Sequence, residues 1–137
     1  PVLGPDLLAT LRAMGHGDEI ALVDGNYPAQ EHARRLVRAD GHGLGVILEA
    51  VLQVLPLDID GPAIFRAGLR NDPALAAPIH RRIDEICARL RPGLAVLPLA
   101  GEALYPRIRA AHTIIATGET ALYGNVILRK GVIGEAQ

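Results

Sequence analysis

The sequence predicts an α/β fold in which a mixed, mostly parallel sheet carries helices on both faces. Short apolar runs typical of buried strands alternate along the chain with segments whose apolar residues recur at helical spacing. The chain has 137 residues, 50% of them hydrophobic and 21% charged, which is the size and composition of one globular core. We therefore expect one domain over residues 1–137.

The first half of the chain contains two helical and two strand patterns. Residues 5–14 and 46–54 carry apolar side chains at helical spacing, and glycine or proline follows each segment. The apolar run 20–23 is closed by Asp24, and the run 36–40 by a glycine-rich turn. Asp24 is therefore expected at the carboxyl end of a buried strand.

The second half alternates in the same way. Apolar runs predict strands at 63–67, 94–99, 113–117 and 125–128. Helical spacing predicts an amphipathic helix over 73–90 and a further helix over 102–111. Since the loop between the last two strands is too short for a crossover helix, we expect these two strands to form an antiparallel pair.

Composition and charge exclude several classes of function. Fourteen basic and fifteen acidic side chains give a net charge of -1, so neither nucleic acid nor an anionic membrane surface is expected as a partner. Aromatic residues make up 3% of the chain, too few for many stacking platforms. The absence of serine and the single Cys87, expected in a helix core, argue against covalent catalysis. Without a secretory or membrane-spanning pattern, we expect a cytoplasmic protein.

The histidines and carboxylates do not follow a metal-site pattern. His16, His32, His42, Asp24 and Asp40 form no pair at helical spacing, so we expect no metal. The sequence also lacks the glycine-rich motifs that hold nucleotide phosphates, so we expect no bound nucleotide.

Three polar groups lie next to predicted strands, where ligands bind in open α/β sheets. They are His16 in a glycine-flanked loop, Asp24, and the loop that contains 117–119 and 123–125. Each has a plainer interpretation: a solvated loop histidine, an Asx-turn aspartate, and the start of an edge strand. Together they offer imidazole, carboxylate, phenol and amide groups, which indicates proton transfer or ligand binding.

Several ordered motifs carry a family resemblance from about Asp6 to Val132. They are Met14-Gly15-His16-Gly17-Asp18-Glu19-Ile20, Tyr27-Pro28-Ala29, Arg38-Ala39-Asp40-Gly41, Leu55-Pro56-Leu57-Asp58, Ala116 to Asn125, and Leu128-Arg129-Lys130-Gly131-Val132. The sequence resembles the fucose mutarotase and ribose pyranase family, and its fucose mutarotase branch more closely.

The resemblance implies a three-layer α/β/α enzyme that interconverts forms of a free monosaccharide without metal or organic cofactor. It also implies a ring-shaped homo-oligomer, commonly a decamer, with active sites at subunit boundaries. By motif, His16 matches the catalytic histidine, Asp24 a sugar-binding carboxylate, and Tyr123-Gly124-Asn125 the sugar-binding segment. The family's sugar-binding Arg or His falls on Gly101; Glu102, Arg107 or a neighbouring subunit's residue are candidates to replace it.

We therefore expect an isomerase, a mutarotase that exchanges the α and β anomers of a sugar such as L-fucose by acid–base ring opening. A histidine that titrates near neutrality serves such a reaction in both directions. Two alternatives are a ribose pyranase, which exchanges pyranose and furanose forms, and a sugar-binding protein without catalytic activity.

Overall fold

The computed structural model describes residues 2–132, which form a sheet of six strands and five α-helices. The strands are β1 (Glu19–Val23), β2 (Leu36–Ala39), β3 (Ile64–Ala67), β4 (Val96–Leu99), β5 (Thr113–Thr117) and β6 (Val126–Arg129). The helices are α1 (Pro5–Ala13), α2 (Ala29–His32), α3 (Leu44–Leu52), α4 (Pro78–Leu90) and α5 (Gly101–Ala110). No helix among the described residues is long and apolar enough to cross a membrane.

The sheet has the strand order β2-β5-β1-β6-β3-β4. β1 and β2 are both parallel to β5, β3 is parallel to β4, and β6 is antiparallel to its neighbours β1 and β3. At the centre, Leu22 of β1 lies opposite Ile115 of β5 and Val126 of β6. The predicted mixed, mostly parallel sheet is confirmed.

The expected pairing of the last two strands with each other is wrong. β6 does run against the other strands, but β1 lies between β5 and β6. The run Ile20–Val23 is completely buried, so β1 takes a central position with a neighbour on each edge. The loop 118–125 is long enough to pass over β1, a distance of about two strand spacings or roughly 10 Å.

Alternating side chains of the sheet divide the core between two helical layers. Ile20 and Leu22 pack into a cluster with α1, α3 and α4, whereas Ala21 and Val23 pack into a second cluster with α2 and α5. Since successive residues of a strand face opposite sides, both faces of the sheet are covered. The fold is therefore the three-layer α/β/α arrangement that was expected.

α4 starts later than its apolar pattern predicted. The segment before Pro78 is a turn in which the Asp72 carboxylate accepts the N–H of Ala74. Proline occupies the first turn of α4, where its missing N–H costs no helical hydrogen bond. The N–H of Ala77 donates to the His80 ring and so caps the helix.

Candidate functional site

A cleft of about 410 Å³ opens at the carboxyl end of β1. This volume lies within the range of small-molecule sites. All three tyrosines of the chain line the cleft, although aromatic residues are scarce in the sequence. The polar lining residues are Asp24, Asn26, Tyr27, His32, Tyr105, Arg109, Tyr123 and Asn125.

Asp24 joins the end of β1 to the segment 123–125. Its Oδ1 accepts the N–H groups of Asn26 (2.9 Å) and Tyr27 (3.0 Å), which is the Asx turn considered from the sequence. Its Oδ2 accepts the N–H of Gly124 at 3.0 Å, and its own N–H donates to Asn125 Oδ1 at 3.2 Å. A carboxylate has about four acceptor positions, so three backbone donors use most of this one. Asp24 thus chiefly shapes the cleft.

The segment 123–125 reaches the cleft through an uncommon backbone conformation. Tyr123 has a φ of 60°, in the left-handed region that non-glycine residues seldom adopt. The turn directs the Gly124 N–H toward Asp24. Because Asn125 uses its side-chain oxygen to accept from Asp24, its NH₂ group is the part that can donate to a ligand.

One wall of the cleft consists of stacked aromatic rings. Tyr27 and Tyr105 lie with ring centroids 6.2 Å apart and planes 19° from parallel, and His32 meets the edge of Tyr27 at 5.5 Å. Burial raises the pKa of both tyrosines, so their phenols keep their protons at neutral pH. Sequence reasoning missed Tyr105 and Arg109. Their spacing of four residues on α5 puts them on one face, but nothing local shows where that face points.

The polar side chains at the end of β5 and just after it, Thr117 and Glu119, form hydrogen bonds with the backbone. The hydroxyl of Thr117 donates to the carbonyl of Val23 at 2.7 Å. The Glu119 carboxylate accepts the N–H of Leu44 at the start of α3 (3.0 Å) and the N–H of Ala121 (3.1 Å). These bonds hold the loop that carries the segment 123–125 over the end of the sheet.

His16 lies at the opposite end of β1 from the cleft. Five strand residues at about 3.3 Å each separate it from Asp24 by roughly 16 Å. The structure therefore brings Asp24, Tyr123, Gly124 and Asn125 together and leaves His16 apart from them within one chain.

The partner of His16 is Asp58, whose Oδ1 lies 4.0 Å from His16 Nε2. Asp58 in turn accepts the N–H of Asp60 (2.9 Å) and the Arg129 guanidinium (3.1 Å). The hydrogen bond from the Asp60 N–H lowers the pKa of Asp58 most, and Arg129 and His16 lower it by smaller amounts. This carboxyl is therefore ionised at neutral pH. His16, Asp58 and Asp60 also place possible metal ligands within 4.8 Å of one another, although the Arg129 charge opposes a cation there.

Lys130 anchors the loop that carries His16, a role that nothing in the sequence pattern indicated. Its buried ammonium donates to the carbonyls of Leu11 and Met14, each at 2.7 Å. Its backbone carbonyl accepts the N–H of Gly17, and its own N–H donates to Asp18.

Gly101 begins α5 beside the aromatic wall. A Cβ at this position would lie 3.0 Å from Asn71 Cβ and 3.2 Å from Tyr105 Cε2, so these two side chains fill the space. Tyr105 donates its hydroxyl to Asn71 Oδ1 at 2.8 Å. Arg107 does not reach the cleft, because it forms two bonds to Glu19 near the start of β1. Arg109 supplies the guanidinium that lines the cleft.

Comparison with known proteins relates this chain, over nearly its whole length, to fucose mutarotases. The family model described as RbsD / FucU transport protein family matches residues 1–133. The fucose mutarotase of Homo sapiens is 42% identical over 139 residues, covering 96% of this chain and 90% of that protein. The L-fucose mutarotase of Haemophilus influenzae is 35% identical over 136 residues, covering 96% and 93%.

A solved structure agrees with the sequence comparison. The fucose mutarotase from Streptococcus pneumoniae, crystallised in complex with L-fucose, superposes with a TM-score of 0.83 at 38% identity and covers 95% of this chain and 94% of that chain. Fold and sequence thus agree, and the chain belongs to the RbsD / FucU transport protein family.

Proposed function

We propose that this protein is a monosaccharide mutarotase that exchanges the α and β anomers of a free sugar such as L-fucose by acid–base ring opening. The observation that carries the proposal is the cleft beside Asp24, which presents phenol, guanidinium, imidazole and amide groups in a chain 42% identical to a fucose mutarotase. These groups match the hydroxyls and ring oxygen of a sugar, and the reaction needs neither metal nor organic cofactor.

In the proposed reaction His16 acts as the proton-transfer residue. It takes the proton of the anomeric hydroxyl while an acid protonates the ring oxygen, so the bond between C1 and the ring oxygen breaks and C1 becomes a carbonyl. Rotation about C1–C2 presents the other carbonyl face, and closure returns both protons. The Asp58 carboxylate stabilises the imidazolium that forms on His16. The protonated phenol of Tyr27 is a suitable donor to the ring oxygen, whereas the Tyr105 hydroxyl already donates to Asn71.

The separation of His16 from the cleft leads us to propose that each site uses two chains. One chain supplies Asp24, Tyr123, Gly124 and Asn125 for sugar binding, and its neighbour supplies His16. A head-to-tail contact of this kind gives a ring when its rotation closes, and we propose a ring of about ten subunits. An exposed apolar groove beside α1, lined by Leu8, Val54 and Pro56, supports association.

We further propose a cytoplasmic location. Cys87, the single cysteine of the chain, is completely buried, and burial raises the pKa of its thiol to about 12. Its side chain therefore packs as a small apolar group, and the fold does not depend on an oxidising compartment.

Two-dimensional exchange NMR on L-fucose, D-ribose and D-galactose tests the proposed activity. We expect the protein to accelerate α/β exchange of L-fucose, and His16→Gln to slow it by about 100-fold while the fold is retained. His42→Gln, at an exposed loop histidine, is the matched control.

The alternatives give different results in the same assay. Exchange confined to the pyranose and furanose forms of D-ribose would indicate a ribose pyranase. Sugar binding without any accelerated exchange would indicate a binding protein, and an unchanged rate in folded His16→Gln would remove His16 from the mechanism.

A further inference from the structure

A completely buried histidine on α4, His80, lies beneath the segment 123–125. Its Nδ1 accepts the N–H of Ala77 at 2.9 Å, and its Nε2 lies 2.9 Å from the carbonyl oxygen of Tyr123. Since Nδ1 is an acceptor, the ring proton of the neutral imidazole is on Nε2, which donates to Tyr123. The two partners thus define one tautomer and one ring orientation.

The hydrogen bond from His80 reaches the residue of the segment with the least favourable backbone conformation, Tyr123. Tyr123 has the left-handed backbone, which a side-chain-bearing residue keeps only when its surroundings hold it. Asp24 holds the two following residues from the β1 side, through Gly124 and Asn125. His80 holds the Tyr123 carbonyl from the α4 side, so the segment is fixed between a strand and a helix.

α4 itself is fixed to the sheet one turn beyond His80. Asp84 accepts two bonds from the nearly buried Arg66 of β3, at 2.7 and 3.0 Å. This fork-shaped pair restricts both position and rotation of the helix. Burial lowers the pKa of His80, and the Arg66 and Arg81 charges lower it further. The Tyr123 carbonyl and Asp84 oppose this shift but do not cancel it. The imidazole therefore stays neutral, as its acceptor role at Nδ1 requires.

We propose that His80 is a positioning residue for the sugar site, acting through the Tyr123 carbonyl to hold the Tyr123 phenol and the Asn125 amide in their binding positions. The inference rests on the proposed function, because it assumes that the segment 123–125 binds the substrate. His80 itself lies outside the cleft lining and does not touch the sugar.

Two isosteric substitutions separate the two bonds of the ring. In His80→Asn the amide oxygen takes the place of Nδ1, so the Ala77 bond is kept and the donor to Tyr123 is lost. In His80→Gln the amide nitrogen takes the place of Nε2, so the Tyr123 bond is kept and the cap is lost. Anomer exchange of L-fucose is measured for both variants, with exposed His42→Asn as the matched control.

We expect His80→Asn to raise KM about tenfold, the effect of one misplaced hydrogen-bonding group, with a much smaller change in kcat. His80→Gln should restore KM to within about threefold of the unaltered protein, although it too melts at a lower temperature. Equal KM values in both variants would overturn the proposal, since helix capping or packing would then explain all effects.

A sugar-free readout keeps this test separate from that of the proposed function. The amide NMR signals of Gly124 and Asn125 should move in His80→Asn and stay near their original positions in His80→Gln. If the unaltered protein exchanges no sugar, the mutarotase proposal fails while these signals still decide whether His80 positions the segment. If His80→Asn does not fold, ¹⁵N-labelled histidine in the unaltered protein decides: a proton on Nε2 supports the proposal, and a proton on Nδ1 overturns it.

Discussion

Asp24 shows how one side chain combines two roles that are alternatives in the sequence. The Asx turn at Asn26 and Tyr27 is present, and the second carboxylate oxygen extends the same residue to Gly124, 100 positions along the chain. Replacing Oδ2, the oxygen that accepts from Gly124, therefore affects the cleft more than it affects the turn.

We predict that Asp24→Asn loses about 1–3 kcal/mol of unfolding free energy and binds L-fucose more weakly. Its amide oxygen can keep the Asx turn, but the NH₂ group then faces the Gly124 N–H and leaves a buried donor unpaired. Urea unfolding and titration calorimetry measure the two effects. Asp40→Asn, whose exposed carboxylate pairs only with Arg38 among the described contacts, is the control. An Asp24→Asn protein as stable as the control would contradict this account.

The lowered pKa values of two histidines predict how the free energy of unfolding depends on pH. Burial lowers the pKa of His80 and of His112 in the folded protein. The unfolded chain therefore binds more protons just below the ordinary histidine pKa of about 6.5, and stability falls as pH decreases through that region. Above about pH 6.5 the stabilisation by the neutral rings is complete.

The His80 contribution is at most about 1.4 kcal/mol per pH unit, because one proton is involved. Urea unfolding between pH 7.5 and 5 should give a shallower dependence for His80→Gln than for the unaltered protein. Carboxylates such as Asp58, whose pKa is lowered, titrate at more acidic pH and do not obscure the comparison. Identical pH dependence in both proteins would show that His80 does not stay neutral on folding.

Among the elements, α1 depends on a residue at the far end of the described chain. The ammonium of Lys130 donates to the Leu11 carbonyl near the carboxyl end of α1. It also donates to the Met14 carbonyl, at the start of the loop that carries His16. A cation at this position also complements the negative end of the helix dipole. The end of α1 and the His16 loop thus form one hydrogen-bonded unit with the residue after β6.

We predict that Lys130→Met costs about 2–4 kcal/mol of unfolding free energy, since the apolar stem is retained while two buried carbonyls lose a charged donor. Hydrogen exchange should quicken at Gly17 and Lys130, whose backbone bond holds the loop. Arg12→Met, at an exposed position of α1, is the matched control. A cost below about 1 kcal/mol would mean that the ammonium only fills space.

At the scale of the whole molecule, the length of β1 prevents a single chain from joining His16 to the cleft. The proposed ring of about ten subunits predicts that light scattering gives a mass about ten times that of one chain. A stable and active monomer would refute both the ring and the two-chain site.

Mixed rings test the two-chain site directly. His16→Gln and Asn125→Ala, each expected to have strongly reduced activity alone, should regain about one quarter of normal activity when unfolded together in equal amounts and refolded. The reason is that a site needs an intact His16 from one chain and an intact Asn125 from its neighbour, each present with a chance of about one half. Chains refolded separately are the control. No recovery in mixed rings of normal size would place the whole site within one chain.

The sequence by itself determined the elements whose signals are local. The strand 113–117 was predicted residue for residue, because an unbroken β-branched and apolar run between a helix and a glycine has one interpretation. Asp24 was correctly expected at the end of β1, since a turn aspartate directly follows a buried run. The later start of α4 and the short α2 escaped prediction, because the first depends on a turn at Asp72 and the second is too short for a period.

Only the tertiary structure decided which of these elements meet. Strand order placed β1 between β5 and β6, and that order brought Asn125 to Asp24 across 101 positions of the chain. The same packing set His80 under Tyr123, while the extended rise of β1 kept His16 from Asp24 although only eight positions separate them in sequence. Periodicity reports the burial of neighbouring residues, whereas the composition of a site depends on long-range packing that no short window contains.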